Sequence, residues 1–250
     1  AEWVSEKCIG GQLGLDLIGA RKWLDEFNDN QAFPLSEEQY ESVYEIAQQP
    51  FSILTGGPGC GKTTTTKPLV KLLLALKKDV MLAAPTGRAA QRMGEVIGKT
   101  AKTIHRLLVW EPQTGRFKKN EEEVLEADFI IIDECSMLDI SLSASLLKAI
   151  SKKTQVLFIG DVDQLPSVGA GNVLKDLIDS QKVPVYALTK VFRQAQESLI
   201  IKSAHQINKG EVPKIESPLH DLGVWDKGID CLFIDSEEAS KEQKDFIQKV

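Results

Sequence analysis

The sequence predicts an α/β fold: a parallel sheet with helices on both sides. Two observations carry this prediction. Short runs rich in Ile, Val, Leu or Phe alternate with helical stretches along the chain. Several of those runs are near-continuously apolar, as strands buried on both faces must be. In such sheets ligands bind beyond the carboxyl ends of the strands. The segments richest in Gly, Asp and Lys follow the runs directly, at those ends.

The elements follow in order. Residues 1–34 read as an N-terminal helical piece, with Leu15, Ile18, Trp23 and Leu24 as candidate contacts; its small size suits the remnant of a longer domain. The expected strands of a domain over 35–183 are Ser52–Thr55, Asp79–Ala84, Asp128–Ile132 and Gln155–Gly160. The expected helices are Thr64–Lys77, Gly87–Gly98, Leu138–Ser151 and Asn172–Ser180. Pro68 falls inside the first of these, where a missing N–H and a ring clash predict a bend costing about 3 kcal/mol. After Val183-Pro184 the character changes, and a further unit is expected over 184–250. It should hold a strand at Val185–Leu188, a polar helix at Ala195–Lys209, loop-like chain to Lys227, a strand at Cys231–Asp235 and a helix over Glu237–Val250.

Composition narrows the class. The chain has 250 residues, 42% of them apolar, and a net charge of −6. No apolar run approaches the ~20 residues of a membrane helix, and no signal peptide pattern opens the chain. Cys8, Cys60, Cys135 and Cys231 form no C-x-x-C pair, which argues against a zinc or disulfide framework and suits a cytoplasmic protein. The acidic balance argues mildly against nucleic acid, so such a partner would need a local basic groove.

Residues 52–63, SILTGGPGCGKT, contain Gly56-x-x-x-x-Gly61-Lys62-Thr63. This is a P-loop between an apolar run and a helix. Its backbone N–H groups, including those of Gly57, Gly59, Cys60 and Gly61, can surround the phosphates of ATP. Lys62 adds a point charge, the Thr63 hydroxyl can ligate Mg²⁺, and Thr64 continues a helix whose positive end faces the same phosphates. Downstream, Ile130-Ile131-Ile132-Asp133-Glu134 ends a buried run in two carboxylates. With a P-loop upstream, Asp133 suits a Mg²⁺ ligand and Glu134 a group that polarises the attacking water. Gly160-Asp161-Val162-Asp163-Gln164 follows another run. There Gln164 reads equally as a sensor of the γ-phosphate or as part of a Gly/Asp/Pro turn. Two readings stay open for Cys60 and Cys135: small buried residues, or a Cys60 thiol acidified by the helix N-terminus.

These residues carry a family resemblance. GGPGCGKTTTT (56–66), APTGRAAQRMGE (84–95), TIHRLL (103–108), IIIDECSMLD (130–139), GDVDQLPSVGAGNVL (160–174) and LTKVFRQ (188–194) occur in order. They resemble motifs I, Ia, the following Thr-x-His segment, II, III and IV of superfamily 1 helicases, and within these the RecD/TraA branch of bacterial 5′→3′ DNA helicases. The resemblance covers roughly residues 34–210 and implies a RecA-like domain followed by a second one. Leu35-Ser36-Glu37-Glu38-Gln39 resembles the segment whose glutamine reads the adenine edge. By spacing alone Gln39 is only a helix-surface residue.

The resemblance also implies single-stranded DNA as partner. It assigns contacts to Thr86 and Arg88 after one strand, and to Thr103 and His105, the last of which reads as well as a structural histidine. Leu107–Lys119 reads as a short hairpin around Gln113-Thr114-Gly115. It lies where relatives insert a small subdomain with a strand-separating pin, and Trp110, Arg116, Phe117, Lys118 and Lys119 suit single-strand binding, as they would a plain surface hairpin. Arg193 resembles the motif IV arginine that reaches the γ-phosphate from the second domain. The chain ends at Val250 before anything like motifs V and VI, so a piece of a longer helicase is expected. Together these readings imply an ATP-dependent DNA helicase acting in repair or recombination. The alternatives are a nucleotide-dependent clamp that grips without unwinding, or an RNA-acting helicase of the same superfamily.

Overall fold

The computed structural model describes residues 2–9, 17–191, 198–217 and 230–233. The chain divides into two compact units, Ala1–Thr189 and Lys190–Val250. The strands are β1 (Phe51–Gly56), β2 (Val80–Ala84), β3 (Ala101–Thr103), β4 (Trp110–Glu111), β5 (Arg116–Phe117), β6 (Phe129–Ile132), β7 (Gln155–Gly160) and β8 (Val185–Leu188). Six of them form one sheet in the order β3-β2-β6-β7-β1-β8, and every neighbouring pair is parallel. The remaining pair, β4 and β5, is a separate antiparallel hairpin.

The buried strands explain their own sequences. β6, Phe-Ile-Ile-Ile, and β7, Gln-Val-Leu-Phe-Ile-Gly, are buried at every position, so neither face tolerates the alternation of a half-exposed sheet. Phe51, Phe129 and Phe158 are among the largest fully buried side chains, and the rings of Phe51 and Phe158 meet edge-on at 5.1 Å. Burying each such side chain contributes about 1.5–3 kcal/mol. Gln155 is the polar residue in this layer, and it is fully employed: its Nε2 donates to the carbonyls of Ala47 and Gln49, both at 2.9 Å.

The helices of the first unit are α1 (Glu2–Ile9), α2 (Leu17–Asp29), α3 (Glu37–Ile46), α4 (Lys62–Ala75), α5 (Gly87–Ile97), α6 (Ile104–Leu107), α7 (Ile140–Lys148) and α8 (Val173–Asp179). Most begin at a side chain that accepts from the first turn: Ser36, Thr86, Thr103, Asp139 and Asn172. Pro68 lies buried within α4, which runs on through it for 14 residues. The proline neither ends nor shortens the helix. The Thr64 carbonyl forgoes its helical partner because proline has no N–H, and apolar neighbours such as Leu69 and Leu72 keep the turn packed.

The N-terminal piece belongs to the first unit. Trp3 of α1 packs edge-on against Phe51 at 6.2 Å. Lys7 is 6% exposed and donates to the carbonyls of Ser151 at 3.3 Å and Lys152 at 2.6 Å. Burial pushes its ammonium pKa down to about 8. Of the contacts expected from sequence, Leu24 is fully buried and Trp23 stacks on Phe27 at 5.2 Å. Ile18 is 85% exposed, and Leu15 lies outside the described residues.

Other expectations are corrected. The strand Val185–Leu188 does not open a second unit: it pairs with β1 in the main sheet, and the first unit runs on to Thr189. β3 was not foreseen, because three residues of mixed polarity carry no period. The expected helix 138–151 starts later, after a 3₁₀ turn at Cys135–Met137, because Asp139 caps it. In the second unit the helix is α9 (Leu199–Asn208), capped by Ser198. Residues 231–233 are not a strand, and the expected helix at 237–250 lies outside the described residues. Among the described residues no helix is long and apolar enough to cross a membrane.

The end of α4 is a Schellman cap. Lys78 N–H donates to Leu73 O and Lys77 N–H to Leu74 O, both at 2.9 Å. Lys77 occupies the left-handed position, φ 59°, that this cap demands. A Cβ there costs about 1–2 kcal/mol. We expect Lys77→Gly to stabilise the protein by about 1 kcal/mol, read as a Tm rise of roughly 2–4 °C by calorimetry. A fall in Tm would contradict this account of the cap.

Candidate active site

β1 ends at Gly56, where a Cβ would lie 2.7 Å from the Leu188 carbonyl oxygen, so the approach of β8 leaves room for glycine alone. Beyond it the loop turns through left-handed conformations at Gly59 (φ 79°) and Gly61 (φ 81°). Gly61 is the N-cap of α4, and no side chain caps that helix. α3 and α5 to α9 all have such a cap. The first N–H groups of α4 are thus left for something else, in a helix whose dipole makes its N-terminus attractive to anions. Lys62 Nζ donates to the carbonyls of Gly56 and, at 3.3 Å, Gly57, which folds the loop around its own cation. Thr63 is half-buried, Gly57 and Gly59 likewise, and Thr64 is exposed.

The β6 end supplies carboxylates. Asp133 is half-buried, and burial pushes its carboxyl above the usual range; the Glu134 carboxylate pushes the same way, opposed by the Glu134 N–H and the cations of Lys62 and Arg92. Asp133 Oδ1 accepts that N–H at 2.8 Å. Glu134 itself sits at φ 54°, ψ 42°, a left-handed conformation that costs a non-glycine residue of order 1–3 kcal/mol. That turn re-aims the side chain at the strand's end and starts the 3₁₀ segment.

From β7 comes the segment with Gln164, which is exposed and whose Oε1 accepts from the buried Ser136 hydroxyl at 3.4 Å. The two segments are bolted together at further points. A Cβ on Gly160 would meet Ser136 N at 3.2 Å, and one on Gly169 would meet Asp139 Oδ2 at 2.3 Å. Ile140 N–H donates to Ala170 O at 3.0 Å.

Gln39 corrects the spacing argument. It is 2% exposed, not a surface residue. Its Oε1 accepts from Ser36 N–H at 3.1 Å in a capping box, while its Nε2 is buried without a hydrogen-bond partner. A donor left bare in this way costs roughly 1–3 kcal/mol until a ligand acceptor meets it. The ring nitrogen of adenine is such an acceptor.

The candidates for nucleic-acid contact lie at the ends of β2 and β3. Thr86 and Thr103 both cap helices, accepting from Ala89 N–H and Arg106 N–H at 3.2 Å each. Arg88 is exposed. His105 is an exposed residue, with its ring 6.2 Å from Trp110 and 5.5 Å from Phe117. Those two rings face each other across the hairpin at 4.8 Å, where Trp110 pairs with Phe117. The hairpin stands where the sequence put it. Its lysines are less available than expected, because Lys119 and Lys118 both pair with Glu123, at 2.9 and 4.0 Å. Arg193 lies outside the described residues.

The chemistry-bearing loops therefore leave adjacent strands, β6, β7 and β1, on one edge of a parallel sheet. Residues 39–170 match the family described as AAA domain. The chain belongs to this family. The chain is also similar to RecD-type helicases. It is 46% identical over 192 residues to the ATP-dependent RecD2 DNA helicase of Deinococcus radiodurans, covering 74% of this chain and 26% of that protein. It is 40% identical over 202 residues to the RecBCD enzyme subunit RecD of Mycolicibacterium smegmatis, covering 71% and 36% respectively. Each match spans less than half of the relative's length. The crystal structure of Pif1 helicase from Candida albicans superposes with a TM-score of 0.57 at 22% identity, over 86% of this chain and 55% of that one, which supports the fold.

Three further residues bear on the candidate site. Arg92 bears on Asp133, and its spacing of one helical turn from Arg88 was the available signal. Ser136 holds Gln164, and Glu38 holds Thr189. Both join residues far apart in sequence and leave no local signature.

Cys60 departs from the acidified reading. It is 3% exposed, and burial raises its thiol pKa, outweighing the Lys62 cation beside it. Burial likewise raises the Cys135 thiol well above its ordinary value. We expect an alkylating reagent at neutral pH to modify Cys231, which is half-buried, before either of them, as read by peptide mass spectrometry. Faster labelling of Cys60 would restore the reactive-thiol reading.

Proposed function

We propose that this chain forms the ATP-hydrolysing core of a superfamily 1 DNA helicase. It couples turnover to movement along single-stranded DNA, 5′→3′, and to duplex unwinding in DNA repair or recombination in the cytoplasm. The observation that carries the proposal is the uncapped N-terminus of α4 at the end of β1, faced by acidic and amide side chains from β6 and β7. A triphosphate is the anion that such an arrangement suits.

The residues divide the work. The loop amides of Gly57, Gly59, Cys60 and Gly61 hold the β- and γ-phosphates, with Thr64 in the helix behind them. Lys62 exchanges its carbonyl partners for phosphate oxygens. Thr63 and Asp133 supply the hard oxygen ligands that Mg²⁺ prefers, and the ion would neutralise charge on the β- and γ-oxygens. Gln39 donates its unpartnered Nε2–H to the adenine ring and so selects the base. Glu134 accepts a proton from the attacking water as its oxygen bonds to the γ-phosphorus and the ADP oxygen departs. Gln164, oriented through Ser136, senses the γ-phosphate. Lys190–Val250 is read as the start of a second RecA-like domain, whose Arg193 resembles the arginine that stabilises the leaving charge. Thr86, Arg88, Thr103 and His105 line the path of the DNA strand.

Glu134→Gln should leave ATP binding intact and slow hydrolysis by about 10²–10⁴. Steady-state turnover and fluorescent-nucleotide titration measure the two effects separately, and a loss below threefold would remove Glu134 as the base. Lys62→Ala should abolish binding or turnover, and unchanged values for both would sink the phosphate site. For the partner, turnover with single-stranded DNA, with RNA and with neither decides between the readings. The proposal expects DNA to stimulate most. Equal stimulation by RNA favours the RNA-acting alternative, and none favours a clamp.

A further inference from the structure

We propose that Glu38 is a positioning residue that couples recognition of the adenine base to the point where the chain leaves its first unit. The inference rests on the nucleotide reading above and adds a role that the reading does not contain. Glu38 precedes Gln39 in the first turn of α3, the turn closed by the Ser36–Gln39 capping box. Its carboxylate accepts two hydrogen bonds from one residue across the sheet: Thr189 N–H at 3.0 Å, and the Thr189 hydroxyl at 2.5 Å. The partners are 151 residues apart in sequence, so this is a tertiary latch and not a local turn.

Thr189 is where the latch gains its consequence. It directly follows β8 and is the last residue of the first unit. The preceding residue, Leu188, presses its carbonyl against Gly56, the first glycine of the phosphate loop. The exit of the chain is thus held on one side by the loop that takes phosphate and on the other by the neighbour of the residue that takes the base. The Gln39 amide is already fixed at its oxygen and bare at its nitrogen. An acceptor bound to that nitrogen immobilises the first turn of α3, and the turn carries the Glu38 carboxylate with it. Both bonds to Thr189 are already made without a base; base recognition makes them firmer, so the chain leaves its first unit from a less mobile point when adenine is in place. Phosphate alone reaches the loop but not Gln39.

Hydrogen exchange reads this directly, because one of the latch bonds is an amide. The experiment follows peptides covering 52–63 and 185–191 with Mg²⁺ and either AMP-PNP or inorganic tripolyphosphate, which lacks a base. AMP-PNP should slow exchange in both peptides, the second by about tenfold, as expected for firmer hydrogen bonds to a charged acceptor. Tripolyphosphate should slow only the first. Glu38→Ala should abolish the response of 185–191 while keeping that of 52–63, which also shows that the variant is folded; Glu38→Gln, which retains one acceptor, should restore part of it. If Glu38→Ala does not fold, Thr189→Val, which keeps the N–H and loses the hydroxyl, should weaken the same response. Equal slowing of 185–191 by tripolyphosphate and AMP-PNP overturns the proposal, as does an undiminished response in Glu38→Ala or in Thr189→Val. If AMP-PNP slows neither peptide, the nucleotide reading itself fails, an outcome distinct from failure of the latch alone.

Discussion

The structure turns on a cluster of backbone N–H groups at the start of α4 that no side chain caps. Polar groups at a helix end must find partners, and in α3 and α5 to α9 a Ser, Thr, Asp or Asn provides one. Here the cap position is a left-handed glycine, and the cation of Lys62 rests on loop carbonyls. Such a loop can form only where it is braced from outside. β1 braces it from below, buried between β7 and β8, and β8 braces it from the side, close enough at Leu188 to exclude any side chain at Gly56.

The neighbouring loops depend on the same frame. Glu134 adopts a strained backbone directly after a fully buried strand, which is possible because the segments on both sides are over-determined. The carboxylate of Asp139 and the backbone near Ala170 lie in contact, with Gly169 leaving the necessary space. The loops after β6 and β7 therefore behave as one piece, and Gln164 is tied to the carboxylate segment through Ser136. A change felt at either loop is delivered to the other through packed atoms.

Much of this was legible in the residues. The apolar runs marked β1, β2, β6 and β7 to within one residue at either end, since a strand buried on both faces has nowhere to place a polar side chain. The glycines and carboxylates after them marked the site. What sequence could not show was pairing at long range. Val185–Leu188 looked like the opening of a second unit because a proline and a change of composition precede it, yet it completes the first sheet beside β1. Gln39 looked exposed because helical spacing says nothing of what packs above the helix. The acidified reading of Cys60 stayed open because a helix dipole is visible in sequence and desolvation is not.

The sheet order has a further consequence, for the moment of synthesis. β1 is made before both of its partners, β7 and β8, which come some hundred residues later, after residue 150. At roughly 5–20 residues per second β1 waits on the order of ten seconds on the ribosome with Phe51, Ile53 and Leu54 unpaired. Until then β1 has no strand to pair with, and non-local parallel pairing is intrinsically slow. A chain released before β8 would lack the strand that flanks its own phosphate loop.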